Sequence, residues 1–333
     1  MPVRTHMLRR EAMKIARMVM LLGLVACFAA SALAQDYPGK PVRVIVPFTA
    51  GSATDQLARA VSQKLSELWG QPVAIENLAG AGGVVGTDAV AKAPRDGYTL
   101  LIHGSAFAVS PVIYANLPYD PVKDFTDIST LARQPFVLVT GPSAGVKTVS
   151  ELIAAAKAKP GQLKFGTAGT GSGTHFAAEQ FKVVAGIDVV HVPYKGGPEA
   201  NAGTITGQVT YWFAPLAMAL KPVREGKLIA LCVTSSKRYD GLPSVPTIAE
   251  AGVAGFVETN WWGIWAPAGI PARVADKLSK DVARALAAPD LLKEFDKLGF
   301  EPMSMTSSEF ARFVRNEIES SARIAKAAGI KPQ

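Results

Sequence analysis

Short apolar runs alternate with amphipathic stretches along the chain after residue 40. Residues 53–70 place Leu57, Val61 and Leu65 on one helical face, which is typical of a helix packed on a sheet. The apolar runs on either side lack this period and are typical of buried strands. Strands separated by helical crossovers predict a parallel sheet with both faces covered. In this first part of the chain we predict strands at 42–46, 72–76 and 98–103.

A second alternating set starts near residue 136, after a stretch at 111–125 that is rich in Pro, Asn and Asp and is predicted to be a linker. The chain then returns as an apolar strand near residue 261. In the second set we predict strands at 136–140, 163–167, 189–193, 208–213 and 228–234, and helices at 149–158, 174–185 and 198–206.

Two amphipathic helices close the chain. The first is predicted at 272–298 with a break at Pro289, and the second at 307–328 with a cap at Ser307-Ser308-Glu309. The two alternating sets predict an α/β protein of two lobes, in which residues 35–133 plus 257–333 form lobe 1 and residues 134–256 form lobe 2.

Composition and charge narrow the class of protein. The 333 residues are 49% hydrophobic and 19% charged, the ordinary balance of a globular protein with more than one core. The net charge is +8, but five basic residues and one acidic residue lie within residues 1–34, which leaves +4 for the rest. Because no basic stripe alternates with aromatic residues, we expect no nucleic-acid partner.

The first 34 residues have the three parts of a secretory signal. Basic residues precede an apolar run at 18–30, which is shorter than the roughly 20 residues that a membrane-spanning helix needs. Cleavage is predicted after Ala34, and lipidation at Cys27 is the less favoured alternative. The mature protein is therefore predicted to be periplasmic and soluble, with Cys232 as a buried thiol.

Three loops share one design, a strand followed by a turn rich in glycine or hydroxyl groups and then by a helix. We call residues 47–55 loop 1, residues 77–83 loop 2 and residues 167–175 loop 3. The free backbone N–H groups and the positive helix end at such a turn suit an anion. The alternative is an ordinary turn, with Thr174 as a helix cap. Phosphate and dinucleotide motifs are absent from all three loops.

Catalytic chemistry has weak support in the sequence. Ser172 and His175 are neighbours in loop 3, but this proximity in sequence does not make a catalytic triad. Together with His103 and His191, His175 lacks the spacing of a metal site. We predict no catalytic residue, no metal and no cofactor. An exported hydrolase using Ser172 and His175 is kept as an alternative.

Six ordered motifs, spread over the mature chain, make the sequence resemble the Bug-type extracytoplasmic receptors of tripartite tricarboxylate transporters. They are Tyr37-Pro-x-Lys40-Pro-Val-Arg43, Gly80-Ala-Gly-Gly83, Ala93-Pro-x-Asp96-Gly-Tyr98, His191-Val-Pro-Tyr194, Leu242-Pro-x-Val245-Pro-Thr247 and Trp262-Gly-x-x-Ala266-Pro-Ala-Gly269. The resemblance implies a two-lobed periplasmic binding protein (type II, Venus flytrap) with a ligand cleft between the lobes. It also implies a carboxylate ligand held by loop N–H groups and hydroxyls.

Carried over to this chain, the resemblance predicts a set of ligand-binding residues. They are Phe48, Thr49, Ala50, Gly51, Ser52, Asp55, Gly83, Ser105, Thr170, Ser172, Thr174 and His175. Two departures concern the ligand. The family usually has Gly-Gly where Gly51-Ser52 stands, and it often has acidic residues where Thr210 and Ala214 stand.

The missing acidic residues predict a carboxylate without an amino group. Phe48, Trp212 and Phe213 make an aromatic ligand an option beside a dicarboxylate, although all three could equally be core residues. Trp261, Trp262 and Trp265 could also stack on a ligand, but packing between the lobes is the favoured interpretation. The resemblance predicts a monomeric receptor that delivers its ligand to inner-membrane transporter subunits. A sensor that feeds a signalling partner is the other alternative.

Overall fold

The computed structural model describes residues 37–256, 258–327, 329, 330 and 332. The predicted signal peptide, with Cys27 and the cleavage site at Ala34, lies outside these residues. Two compact units are distinguished, residues 1–40 and residues 41–333, and the description below concerns the second. In the part of the chain that is described, no helix combines the length and the apolar character needed to cross a membrane.

Strands and helices alternate through the second unit. The strands are β1 (Val42–Val46), β2 (Val73–Asn77), β3 (Thr99–Gly104), β4 (Phe125–Thr140), β5 (Lys164–Thr167), β6 (Val190–Pro193), β7 (Tyr211–Pro215), β8 (Ile229–Val233), β9 (Thr259–Pro267) and β10 (Glu301–Pro302). The helices are α1 (Ala53–Trp69), α2 (Val84–Ala91), α3 (Ala106–Ile113), α4 (Val149–Ala158), α5 (Gly173–Ala185), α6 (Gly197–Ile205), α7 (Leu216–Arg224), α8 (Ala272–Leu286), α9 (Pro289–Leu298) and α10 (Ser307–Ala327).

The strands form two sheets that share one long strand. In sheet A the order is β2-β1-β3-β9-β4, with β1 to β3 parallel and β9 antiparallel to both neighbours. In sheet B the order is β4-β7-β5-β6, and β8 also pairs with β4. The predicted parallel sheet of β1, β2 and β3 is therefore confirmed, and the chain closes it with an antiparallel strand from far along the sequence.

Strand β4 connects the two sheets. Its residues from Phe125 to Pro135 pair with β9 in sheet A, and those from Phe136 to Thr140 pair with β7 and β8 in sheet B. Sequence analysis found the second half alone, because the first half mixes polar and apolar residues without a clean alternation. The predicted lobe boundaries near residues 134 and 257 stay a prediction.

Two helices were missed by sequence analysis. Helix α3 starts before the predicted linker and reaches its first three residues, and α7 lies between two predicted strands. Each contains a proline, Pro111 in α3 and Pro222 in α7. Proline is rare inside helices because it lacks an N–H group and crowds the preceding turn. Its presence led to a wrong prediction for the start of the 111–125 segment.

The predicted helices at the end of the chain are found with small corrections. The predicted break at Pro289 is confirmed, since α8 ends at Leu286 and α9 starts at Pro289. The cap of α10 is Thr306 and not Ser307. The Thr306 hydroxyl accepts the backbone N–H of Glu309 at 3.3 Å, and the Glu309 carboxylate accepts that of Thr306 at 2.9 Å. This reciprocal pair is a capping box.

Each sheet carries an aromatic core. Beside sheet A, Trp265 stacks on Phe107 with ring centroids 4.2 Å apart, and Trp261 belongs to the same cluster. Beside sheet B, Phe213 is fully buried together with the free thiol of Cys232. Burial raises the pKa of this thiol to about 12, so the predicted inert cysteine is confirmed as a buried thiol.

Candidate ligand-binding site

A cavity lies where the helix starts of both sheets converge. Measured as space open to the centre of a water molecule, its volume is about 40 Å³. Its lining includes residues at the starts of α1, α3, α5, α6 and α7. The lining residues are Phe48, Ser52, Ala53, Thr54, Gly104, Ala106, Ala168, Ser172, Gly173, Thr174, Gly197, Trp212, Pro215, Met218, Asn260 and Trp262.

The cavity suits an anion with an apolar body. Among these lining residues there is no charged side chain, so positive potential comes from the helix N-termini. The remaining wall is apolar and includes the rings of Phe48, Trp212 and Trp262. A ligand with a carboxylate at one point and hydrocarbon elsewhere would match both parts of the wall.

In loop 1, Ser52 is the N-cap of α1. Its hydroxyl accepts the N–H of Asp55 at 3.2 Å, and its own N–H donates to the Thr49 carbonyl at 3.1 Å. The Asp55 carboxylate accepts the N–H of Gly51 at 2.9 Å. The N–H groups of Gly51 and Ser52 are therefore engaged within the loop. Those of Ala53 and Thr54, the first two of the helix, have no intrahelical partner and belong to residues of the cavity wall.

Asp55 supports loop 1 and does not line the cavity. Arg59 donates to both of its oxygens at 2.9 Å, and Asn77 of loop 2 donates at 2.9 Å. Burial alone would raise the pKa of Asp55, but hydrogen bonds from Arg59, Gly51 and Asn77 hold this pKa below its ordinary value. Asp55 is thus an ionised residue that ties loop 1 to loop 2.

Loop 3 repeats this arrangement. Ser172 is the N-cap of α5 and its hydroxyl accepts the N–H of His175 at 3.2 Å, while Nδ1 of His175 accepts the N–H of Gly171 at 3.3 Å. The Thr174 hydroxyl accepts the N–H of Ala168 at 3.0 Å and lies 2.9 Å from that of Ser172, which also donates to a carbonyl of the loop. The hydroxyls expected to meet the ligand are occupied within the loop.

Loops 1 and 3 thus share one motif, in the order glycine, serine, any residue, threonine and an acceptor. It is Gly51-Ser52-Ala53-Thr54-Asp55 in loop 1 and Gly171-Ser172-Gly173-Thr174-His175 in loop 3. The two glycines have φ of +80° and +79°, in the left-handed region that favours glycine. The threonines differ: the Thr174 hydroxyl accepts the N–H of Ala168 within loop 3, whereas the Thr54 hydroxyl accepts Nε1–H of Trp262 at 2.9 Å. In both loops the first two helix N–H groups have no intrahelical partner and belong to residues that line the cavity.

His103 and His175 are buried, His191 is half-buried, and all three are neutral. His175 stacks on His191 with ring centroids 4.2 Å apart, and burial is the main cause that lowers the pKa of His175 to about 4 and that of His191 to about 3. Burial also lowers the pKa of His103 to about 3. The ring of His175 bonds Gly171 and not the Ser172 hydroxyl, so the geometry needed by the hydrolase alternative is missing.

Loop 2 approaches loop 3 closely. Gly82 has φ of +61°, and a Cβ atom there would overlap the carbonyl oxygen of Thr170. At Gly83 a Cβ atom would lie 2.5 Å from Nε2 of His103. An adjoining pocket, which shares Phe48 and Ala168 with the cavity, is lined by this part of loop 2 and by Thr170.

The predicted residues are only partly brought together. Phe48, Ser52, Ser172 and Thr174 line the cavity, while Thr49, Gly83 and Thr170 line the adjoining pocket. Five others line neither of these two spaces: Ala50, Gly51, Asp55, Ser105 and His175. Whether any of the twelve contacts a ligand stays a prediction.

Several cavity residues were not among the predicted ligand-binding residues. Met218 lies on the missed helix α7. Gly197 is the first residue of α6, and the glycine pair Gly196-Gly197 is a sequence signal that could have identified it. Asn260 had no local signal, because β9 brings it to the cavity from far along the chain. Of the aromatic candidates, Phe48, Trp212 and Trp262 line the cavity, whereas the other three do not. Phe48 lines both spaces, and Phe213, Trp261 and Trp265 belong to the cores.

Comparison with known proteins supports this picture. The sequence model of the "Tripartite tricarboxylate transporter family receptor" family, TctC, matches residues 57–330. Protein BugT of Bordetella pertussis is 35% identical over 324 residues, which cover 96% of this chain and 99% of BugT. A protein from the tcbD-tcbE intergenic region of Pseudomonas sp. (strain P51) is 36% identical over 284 residues, covering 85% of this chain and 84% of that protein.

Solved structures with the same fold include two with bound acids. R. palustris Rpa4515 with adipate has a TM-score of 0.87 at 35% identity and covers 90% of this chain and 100% of its own. MatC from Rhodopseudomonas palustris with bound malate has a TM-score of 0.82 at 31% identity, and the match covers 86% of this chain and 99% of MatC. The periplasmic binding protein BugD has a TM-score of 0.86 at 31% identity and covers 89% and 100%.

These matches cover most of this chain and most of each compared protein, so the similarity concerns the complete fold. The chain has the two-lobed α/β fold of a periplasmic binding protein, with the cleft between its lobes. Members of this family are periplasmic solute-binding receptors and not enzymes. By its sequence, its fold and its cleft, the chain belongs to the TctC family of tripartite tricarboxylate transporter receptors, with the Bug proteins among its relatives.

Proposed function

We propose that this protein captures a small organic carboxylate in the periplasm and delivers it to the membrane subunits of a tripartite tricarboxylate-type transporter. The observation that carries the proposal is the pair of Gly-Ser-x-Thr helix starts, one from each sheet, that line one cavity without a charged side chain among its lining residues. Two relatives with the same fold hold adipate and malate.

The carboxylate would be held by backbone donors. N–H groups of Ala53 and Thr54 on one side, and of Gly173 and Thr174 on the other, are the first two of their helices. Charge on the ligand is balanced by the helix dipoles, so no lysine or arginine is needed in the cavity. A dicarboxylate with a short carbon chain could engage both helix starts at once and rest its methylene groups on the aromatic wall.

A ligand with an amino group is disfavoured at this site. An ammonium would need an acidic or carbonyl partner, and no acidic side chain lines the cavity. The helix N-termini would also repel it. The proposal is therefore a carboxylate without an amino group, either a dicarboxylate or an aromatic acid.

Entry of the ligand requires the lobes to separate. The cavity volume of about 40 Å³ holds only a few water molecules, which is less than any di- or tricarboxylate needs. At the rim, the Tyr114 hydroxyl donates to the Thr170 carbonyl at 2.8 Å and joins the two sides. Binding would then select an arrangement of the lobes that encloses the ligand in a larger cavity than this one, and the transporter subunits would recognise that arrangement. We further propose that the receptor acts as a monomer after removal of its signal peptide.

A thermal-shift screen of the mature protein against mono-, di- and tricarboxylates tests the proposal, because a ligand raises the melting temperature according to its occupancy. Adipate and 2-aminoadipate form a matched pair that differs by one amino group. We expect stabilisation by at least one acid and a weaker effect of its amino analogue. A screen without any stabilising carboxylate would overturn the function, and a preference for the amino analogue would overturn the ligand class.

A further inference from the structure

A second cavity lies on the other side of strand β9, between helices of both lobes. Its volume is about 320 Å³, larger than that of the ligand cavity. Helices α3 and α10, the paired strands β4 and β9, and helix α5 surround it. We call it the rear cavity. Its lining residues are Ser105, Val109, Arg133, Phe176, Glu258, Thr259, Trp261, Met303, Phe313, Glu317, Ser320, Ser321 and Ile324.

Two carboxyl groups face this cavity without a basic partner in the described part of the chain. Glu258 accepts a hydrogen bond from Nε2 of Gln180 at 3.1 Å, and Glu317 accepts one from Nε1 of Trp261 at 2.8 Å. Both donors are neutral. Arg133 also lines the cavity, but its guanidinium pairs with Glu301 at 2.9 Å.

The charge of these groups is not balanced within the protein. Burial, together with the charge of Glu317, raises the pKa of Glu258 to about 7, and burial also raises the pKa of Glu317. The ionisable groups that face Glu258 across the cavity are Glu317 of α10 and Arg133 of β4. A cation placed between the two carboxyl groups would remove the repulsion between them.

An independent feature points into the same space. Ser321 of α10 lines the rear cavity with 6% of its surface exposed. A hydroxyl in this wall can donate to or accept from a bound molecule. The edge-to-face pair Trp261 and Phe313, with centroids 4.9 Å apart, adds aromatic surface beside the carboxyl groups.

We propose that the rear cavity binds a small organic cation, a primary ammonium carried on a short apolar chain. An ammonium has three donors, which match the carboxylates of Glu258 and Glu317 and the hydroxyl of Ser321. Aromatic rings attract such a cation, and the apolar wall of Val109, Phe176 and Ile324 would hold its chain. A divalent metal fits less well, because no cluster of three metal-ligating side chains occurs in the described residues.

Binding at this place would reach the ligand cavity. Phe176 belongs to α5, whose first turn lines the ligand cavity. Ser105 lines the rear cavity, and its hydroxyl donates to Asn260, which lines the ligand cavity, at 2.7 Å. A cation that spans α5 and α10 would therefore favour one arrangement of the lobes, and the carboxylate ligand would in turn affect cation binding.

Titration calorimetry of the mature protein with n-butylammonium chloride at pH 8 tests the proposal. We expect saturable binding, with no saturable heat from n-butanol or from sodium chloride at the same ionic strength. Glu317→Gln and Glu258→Gln should each weaken binding by about tenfold or more, because each removes a charge-assisted bond. Glu319→Gln, on the exposed face of the same helix, is the matched control and should bind normally.

Binding should also weaken from pH 8 to pH 6, since Glu258 takes up a proton in this range. The proposal is overturned if butylammonium gives no saturable heat at pH 8, or if both glutamine variants, shown to be folded by their melting curves, bind like the wild type. Ser321→Ala gives a further measure, with a smaller expected loss of affinity.

Discussion

His175 accepts the backbone N–H of Gly171 through Nδ1 at 3.3 Å, and this bond joins the two ends of the Gly-Ser-x-Thr segment of loop 3. Asp55 makes the corresponding bond to Gly51 in loop 1, at 2.9 Å. One acceptor is a neutral ring stacked on His191, and the other is a carboxylate paired with Arg59. Each acceptor binds the glycine N–H that precedes the helix, so the first two N–H groups of that helix remain available to a ligand.

Removal of the serine caps should affect both stability and binding. Ser52→Ala and Ser172→Ala each remove the acceptor of a helix N–H group, at a cost of about 1 kcal/mol in the free energy of unfolding. Ligand affinity should also fall, because the first turns of α1 and α5 move. Urea unfolding and calorimetry with the best acid from the screen measure both quantities.

Thr148→Ala is the control for these two variants. Thr148 caps α4 through the N–H of Glu151 at 3.1 Å, and it does not line the ligand cavity. We expect the same loss of stability with unchanged affinity. Equal affinity in all three variants would show that the capped helix starts do not hold the ligand.

Gly82→Ala should prevent full closure of the lobes. Its Cβ atom would overlap the Thr170 carbonyl oxygen, and φ of +61° adds backbone strain. The matched control is Gly70→Ala, where φ is +63° and nothing lies within 4 Å of the new atom. Both variants should lose about 1 kcal/mol of stability from strain, but only Gly82→Ala should lose affinity, by roughly tenfold or more.

Small-angle scattering distinguishes the cause of that loss. With saturating ligand, Gly82→Ala should keep a larger radius of gyration than Gly70→Ala, because its lobes stay apart. A wild-type radius and wild-type affinity in Gly82→Ala would contradict the role of this contact.

Tyr114→Phe should speed ligand release. The variant loses the hydrogen bond to the Thr170 carbonyl that spans the cleft, which is worth about 1 kcal/mol, or roughly fivefold in the dissociation rate. The association rate should change little, since the bond forms only on closure. Tyr194→Phe is the control, because its hydroxyl bonds Gln208 within one lobe. Stopped-flow measurements compare both rates, and an unchanged dissociation rate in Tyr114→Phe would rule out a latch.

Stability should depend on pH through Glu258. Its folded pKa of about 7 lies above its ordinary value of 4.5, so the folded protein holds a proton that the unfolded chain has released. The free energy of unfolding should therefore fall as pH rises from about 4.5 to 7, by up to about 3 kcal/mol, and stay lower above pH 7. Urea unfolding across this range should give a flatter profile for Glu258→Gln. A parallel profile in wild type and variant would contradict this assignment.

The local design of the site was accessible from the sequence. Glycines and hydroxyl residues at strand ends predicted three loops at helix starts, because a positive φ needs glycine and a serine or threonine caps the next helix. The sequence also indicated β1 to β3 as parallel strands, since continuous apolar runs separated by helices are typical of them. These features depend on residues that are near one another in the chain.

The sequence did not show which backbone N–H groups are already hydrogen-bonded within the loops. Gly51 and Ser52 were predicted to offer N–H groups, yet both are engaged within loop 1, whereas Ala53 and Thr54 face the cavity. Asp55, a predicted ligand residue, bonds Asn77, which is 22 residues away, and its contact with a ligand stays a prediction. A backbone group has one donor, and only the folded loop decides which acceptor reaches it.

The sequence by itself determined most of the strands and helices, though not α3, α7 or the first half of β4, and the family to which the chain belongs. Only the tertiary structure brought Trp262 and Asn260 on β9 beside the start of α1, and Trp212 on β7 beside the start of α6. The reason is physical: helix starts and strands follow from local sterics and periodicity, whereas a cavity is made by side chains from distant segments. These side chains come together only through the strand order and the packing of both sheets along β4, and neither can be predicted from a local sequence pattern.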